Sequence, residues 1–253
     1  MALDIKPYLR EILLQRDRIV SWDVYPFNLP AISDLTTLTF HPDVTFLVGE
    51  NGTGKSTLLE AIAVSFGFNP EGGSKNTTFE TRTTHSPLHA YLKLVKSHKR
   101  ARDSYFLRAE SFYNLASYMD DLDDVDYLQG YGGRSLHQQS HGESFLAVLE
   151  HKLQGHGLYL LDEPEAALSP MRQLVALGHL HRLVEQQSQF IIATHSPILL
   201  AYPNATIYQI TEGGICPSAY TETEHYTLTR MFLNRHEQML HQLLEASEIK
   251  NTN

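Results

Sequence analysis

A chain of 253 residues, 42% hydrophobic and 19% charged, is long enough to bury a large α/β core, and its one cysteine, Cys216, excludes an internal disulfide. The formal charge of −9 argues against a surface broadly committed to nucleic acid, because phosphate contacts need a concentrated basic footprint. No apolar run reaches the roughly eighteen residues of a membrane span, and Asp4 and Glu11 interrupt any apolar leader, so the expectation is a cytoplasmic protein with no transmembrane segment.

Residues 8–16 have the spacing of a short amphipathic helix, and 18–24 read as the first strand, broken at Tyr25-Pro26. Trp22, Tyr25 and Phe27 follow, and an aromatic there is either core or a face on which adenine stacks. Residues 35–40 form a second extended piece that turns at His41-Pro42-Asp43 into the apolar run of 44–48.

That run feeds Gly49-Glu50-Asn51-Gly52-Thr53-Gly54-Lys55-Ser56, followed by the helical pattern Thr57-Leu58-Leu59-Glu60. This is the phosphate-binding loop G-x-x-x-x-G-K-[ST] between the strand and the helix that its mechanism needs. Glycines admit backbone angles that let successive N–H groups converge on an anion at the positive end of the helix. Gly49, Asn51, Gly52, Thr53, Gly54, Lys55, Ser56 and Thr57 are therefore the candidate nucleotide-binding residues. Lys55 neutralises the β- and γ-phosphates, and Ser56 ligates magnesium.

Beyond the helix, 68–74 read as loop, 88–95 as helix or strand, 105–111 as a strand and 112–119 as the start of a helix. Lys93, Lys96, Lys99, Arg100 and Arg102 form a basic cluster, followed by the acidic run Asp120, Asp121, Asp123, Asp124 and Asp126. Both runs suit the solvated face of a projecting segment; the basic one also suits a local nucleic-acid contact. Ser140 with Glu143 three residues on reads locally as a capping box opening an amphipathic helix.

Residues 157–161 are apolar on both faces and end in Asp162-Glu163-Pro164-Glu165. Such a strand belongs inside a parallel sheet, whose carboxyl edge is where ligands bind. Asp162 is placed to hold magnesium and Glu163 to orient or deprotonate an attacking water. A helix over 171–185 leads to a second buried strand, 189–193, ending in Thr194-His195-Ser196-Pro197, which aims His195 at the same edge. Residues 205–215 read as a closing hairpin, and 228–244 as a polar terminal helix.

In this order the motifs resemble an ABC-type P-loop ATPase, and most closely the compact ATPases of the SMC, RecF and AAA-like group. The phosphate loop at 49–56, a signature segment at 140–144, the carboxylate pair at 162–163 and the switch histidine at 195 carry the resemblance. It implies an α/β P-loop NTPase of RecA-like, ABC-ATPase kind with a mostly parallel sheet and N-terminal antiparallel strands. It also implies one domain, with 1–70 and 150–253 as nucleotide-binding core and 71–149 as a mainly helical inserted lobe. ATP and Mg2+ are the implied ligands, with Glu163, His195 and Lys55 catalytic. Ser140 and Gly142 would reach the γ-phosphate held by a second copy, making an ATP-dependent homodimer that acts on an unidentified protein partner.

The chain departs from the pattern in three places. His141 and Glu143 stand where a glycine and a glutamine are usual, Ser169 replaces an aspartate, and Glu110 is the stand-in for the expected glutamine as a further magnesium ligand. Competing readings are a subunit energising a membrane transporter and an ATP-regulated module of a DNA-repair or defence complex.

Overall fold

Runs as uniformly apolar as 44–48, 157–161 and 189–193 cannot leave a face in water. In the computed structural model of the chain, which describes residues 6–75, 86–110 and 141–250, they are the middle of a seven-stranded sheet. The elements in chain order are β1 (Leu9–Leu14), α1 (Pro30–Ser33), β2 (Thr37–Thr39), β3 (Val44–Gly49), α2 (Lys55–Phe66), β4 (Gly73–Ser74), β5 (Leu92–Lys96), β6 (Asp103–Arg108), α3 (His141–Ala147), β7 (Gly157–Asp162), α4 (Pro170–Glu185), β8 (Gln189–Ala193), β9 (Thr206–Thr211), β10 (Gly214–Pro217) and α5 (Glu224–Lys250).

The large sheet runs β10-β9-β3-β8-β7-β6-β4. Its five central strands are parallel, and β10 and β4 add antiparallel edges. Side chains alternate along each strand. In β7, Leu158 and Leu160 join the core under α2, whereas Tyr159 and Leu161 join the core under α3 and α4. Because β8 separates β3 from β7, the segments leaving all three strands emerge side by side at one carboxyl edge.

A small antiparallel sheet, β2-β1-β5, covers the α2 side. Here the structure corrects the helix expected over 8–16. A register shift between Leu9 and Glu11 places Leu9, Ile12 and Leu14 inward, and that three-then-two spacing imitates a helical face. Gln189, fully buried, ties this sheet to β8: its amide donates to the carbonyls of Leu9 (2.8 Å) and His41 (3.0 Å), and its oxygen accepts from the Leu9 N–H (2.9 Å). A buried amide with these partners satisfied links the two sheets without a desolvation penalty.

The strand expected at 18–24 is instead a 3-10 turn, Arg16–Arg18, followed by bends. Strand β5 settles the ambiguity at 88–95, with a 3-10 turn over Pro87–Tyr91 before it. Strands β5 and β6, both within 71–149, are built into the two sheets. The helix expected at 112–119 lies outside the described residues. The terminal helix is longer than expected and is interrupted at Arg235 (φ −140, ψ 32).

Candidate active site

The loop between β3 and α2 is shaped by three glycines. Gly52 and Gly54 have φ of 81 and 97, in the left-handed region. At Gly49 a Cβ would come within 2.4 Å of the Ile210 carbonyl oxygen, so β9 allows no side chain there. No side chain caps the N-terminus of α2, which leaves its first-turn N–H groups free for an anion. The Lys55 ammonium, 4% exposed, donates to the carbonyls of Gly49 (2.7 Å) and Glu50 (3.0 Å). Burial pulls its pKa down, and Glu163, Asp162, Glu50 and Glu165 push the other way.

A cleft of 210 Å³ opens over this loop, lined by Asn51, Gly52, Gly54, Lys55, Ser56 and Thr57, with Glu163 from the end of β7 and with Tyr25 and Leu29. Of the expected loop residues, Gly49 and Thr53 do not line it. Gly49 packs on β9, and the buried Thr53 hydroxyl donates to the Glu50 carbonyl (2.9 Å). Of the three aromatics considered for adenine, Tyr25 lines the cleft: it is exposed, and its hydroxyl lies 3.5 Å from that of Thr57. Phe27 is core, edge-on to Trp22 and Tyr91, and Trp22 lies beneath the Arg16 guanidinium.

Ser56 Oγ donates to Asp162 Oδ1 at 2.9 Å. Two hard oxygen donors beside a phosphate cradle suit Mg2+, which takes few protein ligands and completes its shell with phosphate and water. Consistent with that economy, no cluster of three His, Cys, Asp or Glu suited to a metal occurs among the described residues. Burial pushes the Asp162 carboxyl up to about 6, against the opposing pull of Arg108 and the Ser56 hydrogen bond. Arg108 is the register partner of Asp162 on β6; it pairs with buried Glu60 (2.6 Å), lies 3.7 Å from Asp162 and also reaches Glu110 (3.4 Å). Glu110 itself is exposed.

The shift at Asp162 has a sign that can be measured. The folded carboxyl titrates above its ordinary 3.8, so its burial costs nothing while it is protonated. It destabilises the fold progressively as pH rises from about 4 to about 6. In buffer without magnesium or nucleotide, Asp162→Asn is expected to gain on the parent across that window and to hold a constant lead above it. The lead is on the order of 3 kcal/mol, read from urea midpoints. A difference that stays flat from about pH 4 to about 7 would contradict the assignment of that shift.

Glu163 has φ 51 and ψ 51, the left-handed region that non-glycine residues seldom adopt and that recurs at functional positions. Its Oε1 lies 3.6 Å from His195 Nε2. The tetrad after β8 is held by Glu165, whose half-buried carboxylate accepts from the Thr194 hydroxyl (2.7 Å) and the His195 N–H. Burial, then Lys55 and His225, depress the His195 pKa, which keeps its ring neutral near neutral pH. His195 Nδ1 lies 2.9 Å from His225 Nε2.

The structure thus brings Lys55, Ser56, Asp162, Glu163 and His195 to one edge. Gly142 lies elsewhere, buried at the start of α3, where a Cβ would meet the Ala167 carbonyl oxygen at 2.6 Å. Ser140 is outside the described residues, as is the His141 side chain. Sequence reasoning gave no role to Arg108, Glu60 or His225. Glu165 stood in the sequence only as the last residue of Asp162-Glu163-Pro164-Glu165, without a role.

Strand order, glycine loop and paired carboxylates together define a P-loop NTPase fold. Residues 27–110, from the aromatic segment through α2 to the end of β6, match the family described as AAA domain. No curated protein matches the chain. Similar solved structures include the SMC head domain from Thermotoga maritima, 17% identical over 84% of this chain and 100% of that one, with a TM-score of 0.44. An SMC head bound to the C-terminal winged-helix domain of ScpA is 12% identical over 84% and 98%, with a TM-score of 0.48. A component of an ABC transporter complex from Clostridium perfringens is 19% identical over 83% and 90%, with a TM-score of 0.45.

Proposed function

We propose that this chain binds and hydrolyses Mg-ATP, and that ATP-dependent head-to-tail pairing of two copies acts as a switch on a protein partner. The observation that carries the hydrolytic part is the contact of Ser56 with Asp162 (2.9 Å) in a site where Glu163 lines the phosphate cleft and lies 3.6 Å from His195. Lys55 and the loop N–H groups bind the β- and γ-phosphates, and Tyr25 offers the base a ring. Magnesium, held by Ser56 and Asp162, supplies charge stabilisation at the phosphate oxygens. Glu163 takes a proton from the attacking water, and His195 Nε2, buried without a partner among the described residues, donates to the terminal phosphate.

The pairing of two copies rests on the resemblance of 140–144 to a signature segment. Triphosphate favours a closed pair only through contacts that the open form lacks. Phosphate release and gel filtration of parent and Glu163→Gln protein, with and without Mg-ATP, test both parts.

A second reading, an ATP-regulated module that touches nucleic acid, draws on the basic cluster. Lys75, Lys93, Lys96, Lys99, Arg100 and Arg102 have no carboxylate within ion-pair distance among the described residues. The ammonium groups of Lys75 and Lys96 share one ring, 4.0 and 4.3 Å from the Phe66 centroid. Burial and the neighbouring cations lower the pKa of both, as expected where a polyanion would relieve repulsion. Hydrolysis stimulated by DNA, and lost on reversing Lys96 and Arg100 to Glu, is the result expected of this reading. Absence of both stimulation and DNA retention at low salt excludes it.

A further inference from the structure

Each imidazole of the His195–His225 pair offers one nitrogen to the other, 2.9 Å apart, and holds its second nitrogen buried. His195 Nε2 and His225 Nδ1 have no hydrogen-bond partner among the described residues. The ring centroids are 5.0 Å apart. The pair is faced by Glu50 and Lys55 from the phosphate loop, by Glu163 from the end of β7 and by Glu224 from α5 itself.

Helix α5 is anchored just where it presents His225. Buried Thr223 donates its hydroxyl to the Tyr220 carbonyl (2.8 Å), and its oxygen accepts from the Tyr226 N–H (3.4 Å). The Glu224 N–H reaches Gln209 on β9 (3.4 Å), and the Tyr226 ring lies tilted against that of Tyr220, centroids 4.6 Å apart. Farther along, the helix exposes Leu228, Met231 and Leu233. The first turn is thus held against β9 and the turn at Tyr220.

We propose that His225 is a positioning residue that sets the tautomer and ring angle of His195. This rests on the hydrolytic reading above. A neutral His195 can donate from Nε2 toward the Glu163 side of the cleft only if Nδ1 carries no proton. Nδ1 must then accept, and the atom set opposite it is His225 Nε2, which donates. In a neutral His225 that choice leaves Nδ1 unprotonated, so the buried atom without a partner is an acceptor and not a stranded N–H. Without His225 the His195 ring is free to adopt the other tautomer, which turns a lone pair toward the phosphate and repels it.

Steady-state hydrolysis of Mg-ATP by three variants tests this. His225→Leu fills the space without a donor and is expected to lower kcat about tenfold or more, with KM within about twofold. His225→Gln carries an amide N–H at the Nε2 position and is expected to recover most of kcat. His225→Asn, too short to reach, is expected to behave as Leu does. A purely structural role predicts equal losses for Gln and Leu together with a lowered Tm, and would overturn the assignment. So would a parental kcat for His225→Leu. If the Leu variant does not fold, the contrast between Gln and Asn decides alone. Slow Glu163→Gln and His195→Ala beside a parental His225→Leu would sink only this inference, whereas a parental rate for Glu163→Gln would remove the hydrolytic reading and this inference with it.

Discussion

Replacing Glu163 by glutamine is expected to slow ATP hydrolysis by about 100-fold or more while ATP binding is kept. Glutamine has the same shape and keeps an oxygen toward the cleft, but it has no lone pair basic enough to accept a proton from water. The residue sits in the left-handed region (φ 51) directly after β7 and before Pro164, a placement that the fold maintains at a backbone cost of about 1 kcal/mol. The side chain faces the 210 Å³ cleft and lies 3.6 Å from His195. With the triphosphate intact, the contacts that favour the closed pair persist, so the variant is expected to elute as a dimer with Mg-ATP and as a monomer without it. Parental hydrolysis by the variant would remove Glu163 from the chemistry. A monomer under every nucleotide condition would remove the paired switch while leaving hydrolysis untouched.

Lys55→Ala carries the second large effect, on binding. The Lys55 ammonium is the cation inside the cradle, and its two hydrogen bonds, to the Gly49 and Glu50 carbonyls, keep it folded against the loop. Its loss removes the positive charge on which Glu163 and Asp162 act and leaves the phosphates without a side-chain cation. ATP affinity is expected to fall at least about 100-fold, equivalent to about 2.7 kcal/mol. Thermal unfolding makes this visible. At an ATP concentration near 100 times the parental Kd, the parent gains about 2.7 kcal/mol, and the variant is expected to show almost none of that gain. An equal ATP-dependent shift in both proteins would show that Lys55 is not a phosphate ligand. The unliganded variant serves as its own control for folding.

Much of this site was legible before any coordinates, for reasons that are local. The glycines at 49, 52 and 54 announce backbone angles, and Lys55 and Ser56 lie within two residues of the last of them. Asp162 and His195 end strands whose uniform apolarity can be satisfied only inside a sheet. Arg108 and His225 carry no such mark. Arg108 matters because β6 pairs with β7 in a register that sets it opposite Asp162, and His225 because the chain returns, thirty positions after His195, to seal that histidine from the other side. Tyr25 could not be told from Trp22 and Phe27 by spacing. Packing sets Tyr25 at the cleft, buries Phe27 and covers Trp22 with Arg16. The helix expected at 8–16 failed because a shift in strand register gives inward positions a helical spacing.

By itself, then, the order of residues along this chain determined the phosphate loop, the parallel core strands and the groups that end them, because each depends on neighbours in sequence: a glycine's freedom, a helix start, an apolar run. The tertiary structure alone decided which charges meet. The Ser56–Asp162 contact, the Arg108 network and the two-histidine pair join residues from 30 to 106 positions apart, and distances of that kind are set by strand order and register, which no local spacing encodes.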